Sequence, residues 1–282
     1  MSDPRSFDWV AVLDRLSAFY HTGDWRRPYL RDHAENPFQV LIGTILSQRT
    51  RDEMTDRASA RLFAKFPDAP SLARASPAAL IPLIRGVGFY RTKATAIRDC
   101  AAEILGRFGG RVPTTYEELT SLPWVGAKTA NCVLVFGYGL PAIPVDTHVH
   151  RIANRLGVVR TKTPEATEEA LRRVVPPEYW IPLNPLLVQH GQNLCRPIGP
   201  RCTECPIADL CATGVALREG RRPPRAADRP RPRRASGGGR RVRAASRPSR
   251  RAGTPTRLRS RTRRPASRTG TTRPRRRSTG SS

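Results

Sequence analysis

The chain has 282 residues, with 50 Lys and Arg against 23 Asp and Glu and a formal net charge of +27 at pH 7. It opens without an apolar signal-like region and contains no run of about 18 apolar residues, which argues against secretion and membrane spanning and for a soluble intracellular protein. The charge is unevenly placed: residues 220–282 hold 23 Arg, no Lys, no aromatic and one acid, Asp228, leaving +5 on residues 1–219. With only Val242 and Leu258 as large aliphatics, that tail cannot bury enough apolar surface to offset the entropy of ordering it and is expected to be disordered. Its single sign suits an arm that binds nucleic acid by releasing counterions, the alternative being a solvated spacer.

Residues 6–212 read as a succession of helices with no sustained apolar/polar alternation, so the body is predicted to be all-α. Ser6 is placed to cap a first helix whose Trp9, Val12, Leu13, Leu16 and Phe19 share a face. Asn36-Pro37 opens "FQVLIGTILSQ", apolar nearly all round and suited to the centre of a bundle. Met54, Ala58, Leu62 and Phe66 form a further stripe, and Ile97, Ala101, Ile104, Leu105 and Phe108 another, stopped by Gly109-Gly110. Pro82, after Ser76-Pro77, kinks its helix or ends it early. Thr115 with Glu118 reads as a capping box, and Thr163-Pro164 starts a helix that Pro176-Pro177 ends.

The helix from Thr115 leads into Pro123-Trp124-Val125-Gly126, and a second helix starts at Ala127 or Lys128. Such a turn points free backbone N–H groups outward at the positive end of a helix, a place for an anion such as a DNA phosphate; an ordinary αα-turn reads the same way from these residues alone. Lys128 then falls in the first helical turn, the unfavourable end of the dipole for a cation, which together with burial would lower its pKa and favour a nucleophilic amine; otherwise it is a surface lysine that reaches a phosphate. In "PVDTHVHRIANRLG" Asp146 precedes a helix closed by Gly157. Its plainer role is an N-cap, and a capped carboxylate stays ionised, as a group facing a developing sugar cation must. His148 and His150, two apart, point to different faces and do not suit a shared metal.

Four of six cysteines lie in the pattern Cys195-x6-Cys202-x2-Cys205-x5-Cys211, within 17 residues. That crowding suits metal ligation in a reducing compartment better than disulfides, and a compact iron–sulfur cluster better than zinc, whose ligands usually come as two separated pairs; zinc stays open on ligand type. Cys100 and Cys132 fall within helical stripes and read as small buried hydrophobes.

Taken together, "LPWVGAKTANCVL", "VDTHVHRIANR", "ILSQRTRDEMT", "GVGFYRTKA", "HGQNLC" and the cysteine pattern make the chain, from about Pro37 to Cys211, resemble the endonuclease III family of helix-hairpin-helix DNA glycosylases. The resemblance implies a two-domain all-α protein: a six-helix barrel over residues 30–140, with the hairpin at about 115–137, and a cluster domain from residues 1–29 and 141–212, followed by a tail over 213–282. It implies Lys128 and Asp146 as catalytic residues and a [4Fe–4S] cluster on Cys195, Cys202, Cys205 and Cys211. It further implies contact with double-stranded DNA through Gln48, Arg49, Trp124, Val125, Gly126, Lys128, Arg196 and Arg201 by a monomeric cytoplasmic, nucleoid-associated protein. The implied activity is removal of oxidised pyrimidines and cleavage 3′ to the abasic site by β-elimination through a lysine Schiff base. A monofunctional mismatch glycosylase of the same superfamily and a non-catalytic DNA-binding module are the alternatives. The chain departs from the family at Trp124, where many members have Gly, and at Ala127, where a basic residue is common; in "SQRTRD" either Gln48 or Arg49 could fill the gap left by an extruded nucleotide.

Deleting residues 220–282 is expected to flatten the fall of DNA affinity with salt, each lost phosphate contact removing a slope of about 0.9 in log–log terms. Filter binding across a salt series measures it, and an unchanged slope would make the tail a spacer.

Overall fold

A computed structural model of the chain describes residues 7–22, 25 and 36–223. The expected arginine-rich tail lies outside the described residues beyond residue 223, and Ser6 is likewise outside. Among the described residues the structure is helical, without a strand.

Helix α1 (Trp9–His21) is capped by Asp8, whose carboxylate accepts the Ala11 N–H at 2.8 Å, in the role expected of Ser6. Asn36 caps α2 (Pro37–Ser47) by accepting from the Phe38 and Gln39 amides, both at 3.1 Å. The run from Val40 to Leu46 is buried on every side, as its composition, apolar but for Thr44, requires. Helix α3 (Asp52–Lys65), the short α4 (Ala69–Ala73) and α5 (Pro77–Leu80), and the long α6 (Tyr90–Phe108) follow. Pro82 ends α5 early: the chain leaves the helix at Ile81 and runs on in turns. Gly109 closes α6 in the left-handed conformation that a Cβ disfavours.

Helix α7 (Tyr116–Thr120) shows half of the expected capping box. Thr115 Oγ1 accepts the Glu118 N–H at 3.3 Å, but the Glu118 carboxylate accepts the Thr115 hydroxyl instead of the Thr115 amide. After the hairpin come α8 (Ala127–Cys132) and a π-helical turn, Val133–Gly137. That turn crosses the start of α2 so closely that a Cβ on Gly137 would lie 2.9 Å from Pro37 Cα. The chain then passes through α9 (Thr147–Leu156), α10 (Pro164–Val174), α11 (Trp180–Asn193) and α12 (Ala212–Arg218). Residues 213–218, expected to lie in the tail, are therefore helical: Thr213, Gly214 and Ala216 are buried, and α12 packs on α9.

Two hydrophobic cores result. The first gathers residues from Phe38 to Ala142 around α2, which packs on α3, α6, α8 and the π turn. The second joins α1 to residues from Ile143 to Ile207, with α9 and α11 at its centre. Segment 139–146 passes from one to the other. Asn131, fully buried on α8, donates to Ile143 O at 3.5 Å, and Asn184, buried on α11, donates to Pro144 O at 2.7 Å. Each core thus holds the segment that leads to Asp146 by a side-chain amide.

Because Asn36 satisfies two otherwise orphaned amides of the central helix, Asn36→Ala is expected to destabilise the protein by about 1 kcal/mol. Chemical denaturation measures it, and a loss below a few tenths would show that α2 does not depend on its cap.

Candidate active site

The hairpin is anchored by apolar side chains that face inward. Leu122 and Val125 belong to the first core, and the Val125 N–H closes the turn on Leu122 O at 3.3 Å. Between them Trp124 is 54% exposed with φ +67°. A non-glycine residue pays about 1–2 kcal/mol for that left-handed conformation, a cost that glycine would avoid. Gly126 is the N-cap of α8 and offers no side-chain acceptor to the amides of the first turn.

Lys128, half-buried in that first turn, and Asp146, half-buried at the N-cap of α9, line one cleft of about 530 Å³. Asp146 Oδ1 accepts from the His148 and Val149 amides at 2.9 and 2.8 Å, so the capping role expected of it is present alongside its place in the cleft. Gln48 and Arg49 also line the cleft, as do Thr50, Asp52, His148 and Gln192. Asp52 opens α3, and its carboxylate accepts the Gln192 side-chain N–H at 2.8 Å, which ties α3 to α11 across the cleft.

These carboxylates change the expected ionisation of Lys128. Burial works against its ammonium, as anticipated, but the Cys132 sulfur one turn on, hydrogen-bonded to the amine, and the Asp146 carboxylate outweigh it, with Asp52 on the same side. The amine is therefore held above the ordinary lysine value, not below it. Burial likewise pushes the Cys132 thiol up, against the opposing pull of the Lys128 amine. Burial draws His148 down, more than its nearby carboxylates draw it up, and Arg151 approaches its Nδ1 at 3.1 Å. His150 faces away to Thr167 Oγ1 at 2.6 Å, in keeping with the two faces expected of this pair.

The other expected contact residues are spread out. Val125 is buried. Arg196 lines an adjoining cavity that shares Thr50, Asp52, His148 and Gln192 with the cleft. Arg201 is held by the Glu204 carboxylate, with Nε donating to Oε1 at 2.6 Å, and lies beside the cysteines. Residues that sequence reasoning did not single out include Asp52, Gln192 and, behind the Gln48–Thr50 loop, Lys93, while His148 was weighed there only as a metal ligand. "SQRTRD" contained Asp52 but gave no signal that its partner would come from 140 residues away.

Cys195, Cys202, Cys205 and Cys211 are free thiols that line a single cavity. Arg155 donates to Cys195 Sγ at 3.3 Å, and His190 Nε2 lies 3.5 Å from Cys205 Sγ while its Nδ1 meets the Tyr20 hydroxyl at 2.8 Å. Burial pushes the Cys205 thiol up to about 12 and draws His190 down to about 4. Among the described residues no three Cys, His, Asp or Glu side chains converge closely enough for one metal ion. Cys100 and Cys132 are fully buried in helices, as expected.

The HhH-GPD superfamily of base excision DNA repair proteins matches this chain over residues 42–177. Endonuclease III of Thermotoga maritima is 50% identical over 182 residues, 64% of this chain and 85% of that protein. Endonuclease III-like protein 1 of Bos taurus is 41% identical over 222 residues, 74% of this chain and 73% of that protein. Two solved structures share the fold: a trapped endonuclease III–DNA covalent intermediate, the estranged-adenine complex, at TM-score 0.65 and 32% identity, and a non-covalent endonuclease III–DNA complex at 0.66 and 33%. Each covers 73% of this chain and 95% of its own. Identity of this extent over most of a relative's length, on the same all-helical fold, places the chain in the endonuclease III family of the HhH-GPD superfamily.

Proposed function

We propose that the protein is a base excision repair DNA glycosylase and AP lyase in which Lys128 is the nucleophile and Asp146 its electrostatic partner. One observation carries this reading: the hairpin lysine and the α9 cap carboxylate, 18 residues apart in sequence, line the same cleft. The relatives named endonuclease III and the two DNA complexes among the fold's neighbours support double-stranded DNA as the partner. Oxidised pyrimidines and abasic sites are the proposed substrates.

The chemistry requires the nucleotide to leave the stack and enter the cleft, since a paired base hides its glycosidic carbon. Lys128 starts as an ammonium and must lose a proton, with Asp146 the adjacent acceptor. The neutral amine attacks C1′ as the C1′–N bond breaks and the base departs with a proton taken from the attacking nitrogen; the C1′–O4′ bond then breaks, O4′ taking the proton that Asp146 had accepted, which leaves an iminium on the ring-opened sugar. Loss of a C2′ proton then expels the 3′ phosphate, and water releases Lys128. Asp146, kept oriented by two backbone amides, stabilises positive charge developing on the sugar.

Around this centre we assign the phosphate strand to the hairpin at Trp124, Val125 and Gly126, the gap left by the flipped nucleotide to Gln48 or Arg49, and flanking backbone contacts to Arg196 and Arg201. The two cores support a division into a barrel domain, assigned to 30–140, and a second domain, assigned to 1–29 with 141–212. The four thiols sharing one cavity, with an Arg155 N–H donating to one sulfur and His190 Nε2 beside another, fit a [4Fe–4S] cluster. When bound it supplies cross-linking of the 195–211 loop, on which Arg196 is carried. DNA binding of this kind would place the protein with the nucleoid. Among the described residues no helix is long and apolar enough to cross a membrane.

Borohydride should trap the wild-type protein on an abasic duplex, and Lys128→Ala should abolish the adduct; a monofunctional glycosylase would give none with either protein, and a pure binder would retard the DNA without cutting it. Asp146→Asn separates capping from catalysis. Because Asn caps as well as Asp, thermal stability should move by no more than a few tenths of a kcal/mol. The rate of base excision should fall by about 10²–10³-fold. Equal losses in both would reduce Asp146 to a cap.

A further inference from the structure

The loop that lines the cleft between α2 and α3 is tied to a buried lysine outside the site described above. Lys93, in the first turn of α6, is 6% exposed, a degree of burial rare for lysine without partners. Its amine donates to Leu46 O at 2.7 Å, Gln48 O at 2.5 Å and Thr50 Oγ1 at 3.2 Å. The first two are carbonyls from the end of α2, where helical partners run out and the dipole is negative, so the ammonium acts as a C-terminal cap supplied by another helix. Burial lowers the amine to about 8, which leaves it charged at neutral pH.

The same loop is held from a second direction. Thr50 Oγ1 also accepts the Gly88 N–H at 3.1 Å and donates to Gln48 O at 3.2 Å, which uses its full hydrogen-bonding capacity. Gly88 approaches so closely that a Cβ there would lie 2.6 Å from Arg49 O. Between these ties Arg49 has φ +53°, with its guanidinium 5.9 Å from the ring centroid of Phe89, itself at φ +56° and exposed. Left-handed backbone at two exposed non-glycine residues costs free energy that the surrounding bonds must offset.

From this geometry we infer that Lys93 is a positioning residue for the reaction, gripping the Gln48–Thr50 loop from behind so that Gln48 and Arg49 are presented to duplex DNA in one preset conformation. The inference rests on the proposed function, since it takes the loop to occupy the gap in the duplex. A lysine that merely stabilised the fold would affect every substrate alike. A clip on the loop matters only where a base stack must be entered and held open.

The test compares Lys93→Met with wild type on two substrates: a duplex with one abasic site opposite 2-aminopurine, and the same abasic strand alone, which has no stack to enter. On the duplex, the fluorescence rise on binding should be lost and kcat should fall on the order of 100-fold, the effect of a misplacement near one ångström. Borohydride trapping on the single strand should fall far less. Thr50→Val, which removes the bonds of the Thr50 hydroxyl but keeps the lysine on the Leu46 and Gln48 carbonyls, should shift the duplex readouts in the same direction by less, and it decides the matter if Lys93→Met does not fold. Equal losses on both substrates, or full duplex activity, would overturn the clip. Failure of the wild-type protein to form an adduct on either substrate would overturn the lyase reading instead.

Discussion

Segment 139–146 carries the chain from one hydrophobic core to the other, and its buried carbonyls cannot be left without donors, since an unsatisfied buried group costs about 1–3 kcal/mol. Asn131 supplies one donor from α8, three residues after Lys128, and Asn184 supplies the other from α11. The segment is therefore held from both sides at adjacent residues, Ile143 and Pro144, just before Asp146 turns into α9. Lys128 belongs to the helix that holds one side, so the amine and the carboxylate are fixed relative to each other through a short chain of bonds. Neither core alone could place that pair.

The cleft's electrostatics follow from this arrangement. A lysine at a helix N-terminus is unfavourable by itself, yet Asp146, Asp52 and the Cys132 sulfur surround Lys128 and keep it protonated in the free protein. Chemistry must then begin with a proton transfer, for which the cleft provides carboxylates. The same surroundings suit a cation that develops on the sugar once the amine has become neutral. Asp52 also receives the Gln192 amide, so one residue contributes both to the charge of the site and to the join across it.

Backbone strain is concentrated near the same surface. Among the described residues, Arg49, Phe89 and Trp124 are the non-glycine residues with positive φ, and all three are exposed on loops or turns. Two of them face each other beside the cleft, held by Lys93, Thr50 and Gly88; the third tips the hairpin. Strained, exposed side chains persist where neighbouring contacts over-determine the backbone, and here those contacts are the hydrogen bonds of Lys93, Thr50 and Gly88 and the inward packing of Leu122 and Val125.

What the sequence by itself determined was local or nearly so. Helix starts at Asn36, Thr115, Thr163 and Asp146 were legible because a cap acts over two or three residues. The burial of α2 followed from its composition, and the four clustered cysteines came from spacing alone. Lys128 and Asp146 stood out because each occupies a helix terminus whose chemistry can be read from the adjoining residues. Helix α12 was missed because its burial comes from packing on α9, more than 50 residues earlier, and not from a marked stripe of its own. Only the tertiary structure decided the direction of the Lys128 shift, the presence of Asp52 and Gln192 in the cleft, and the grip of Lys93 on its loop. Apart from the Cys132 sulfur one turn from Lys128, each depends on charges or hydrogen bonds between residues tens to more than a hundred positions apart, and through-space interactions of that kind leave no periodicity, cap or spacing for a sequence to display.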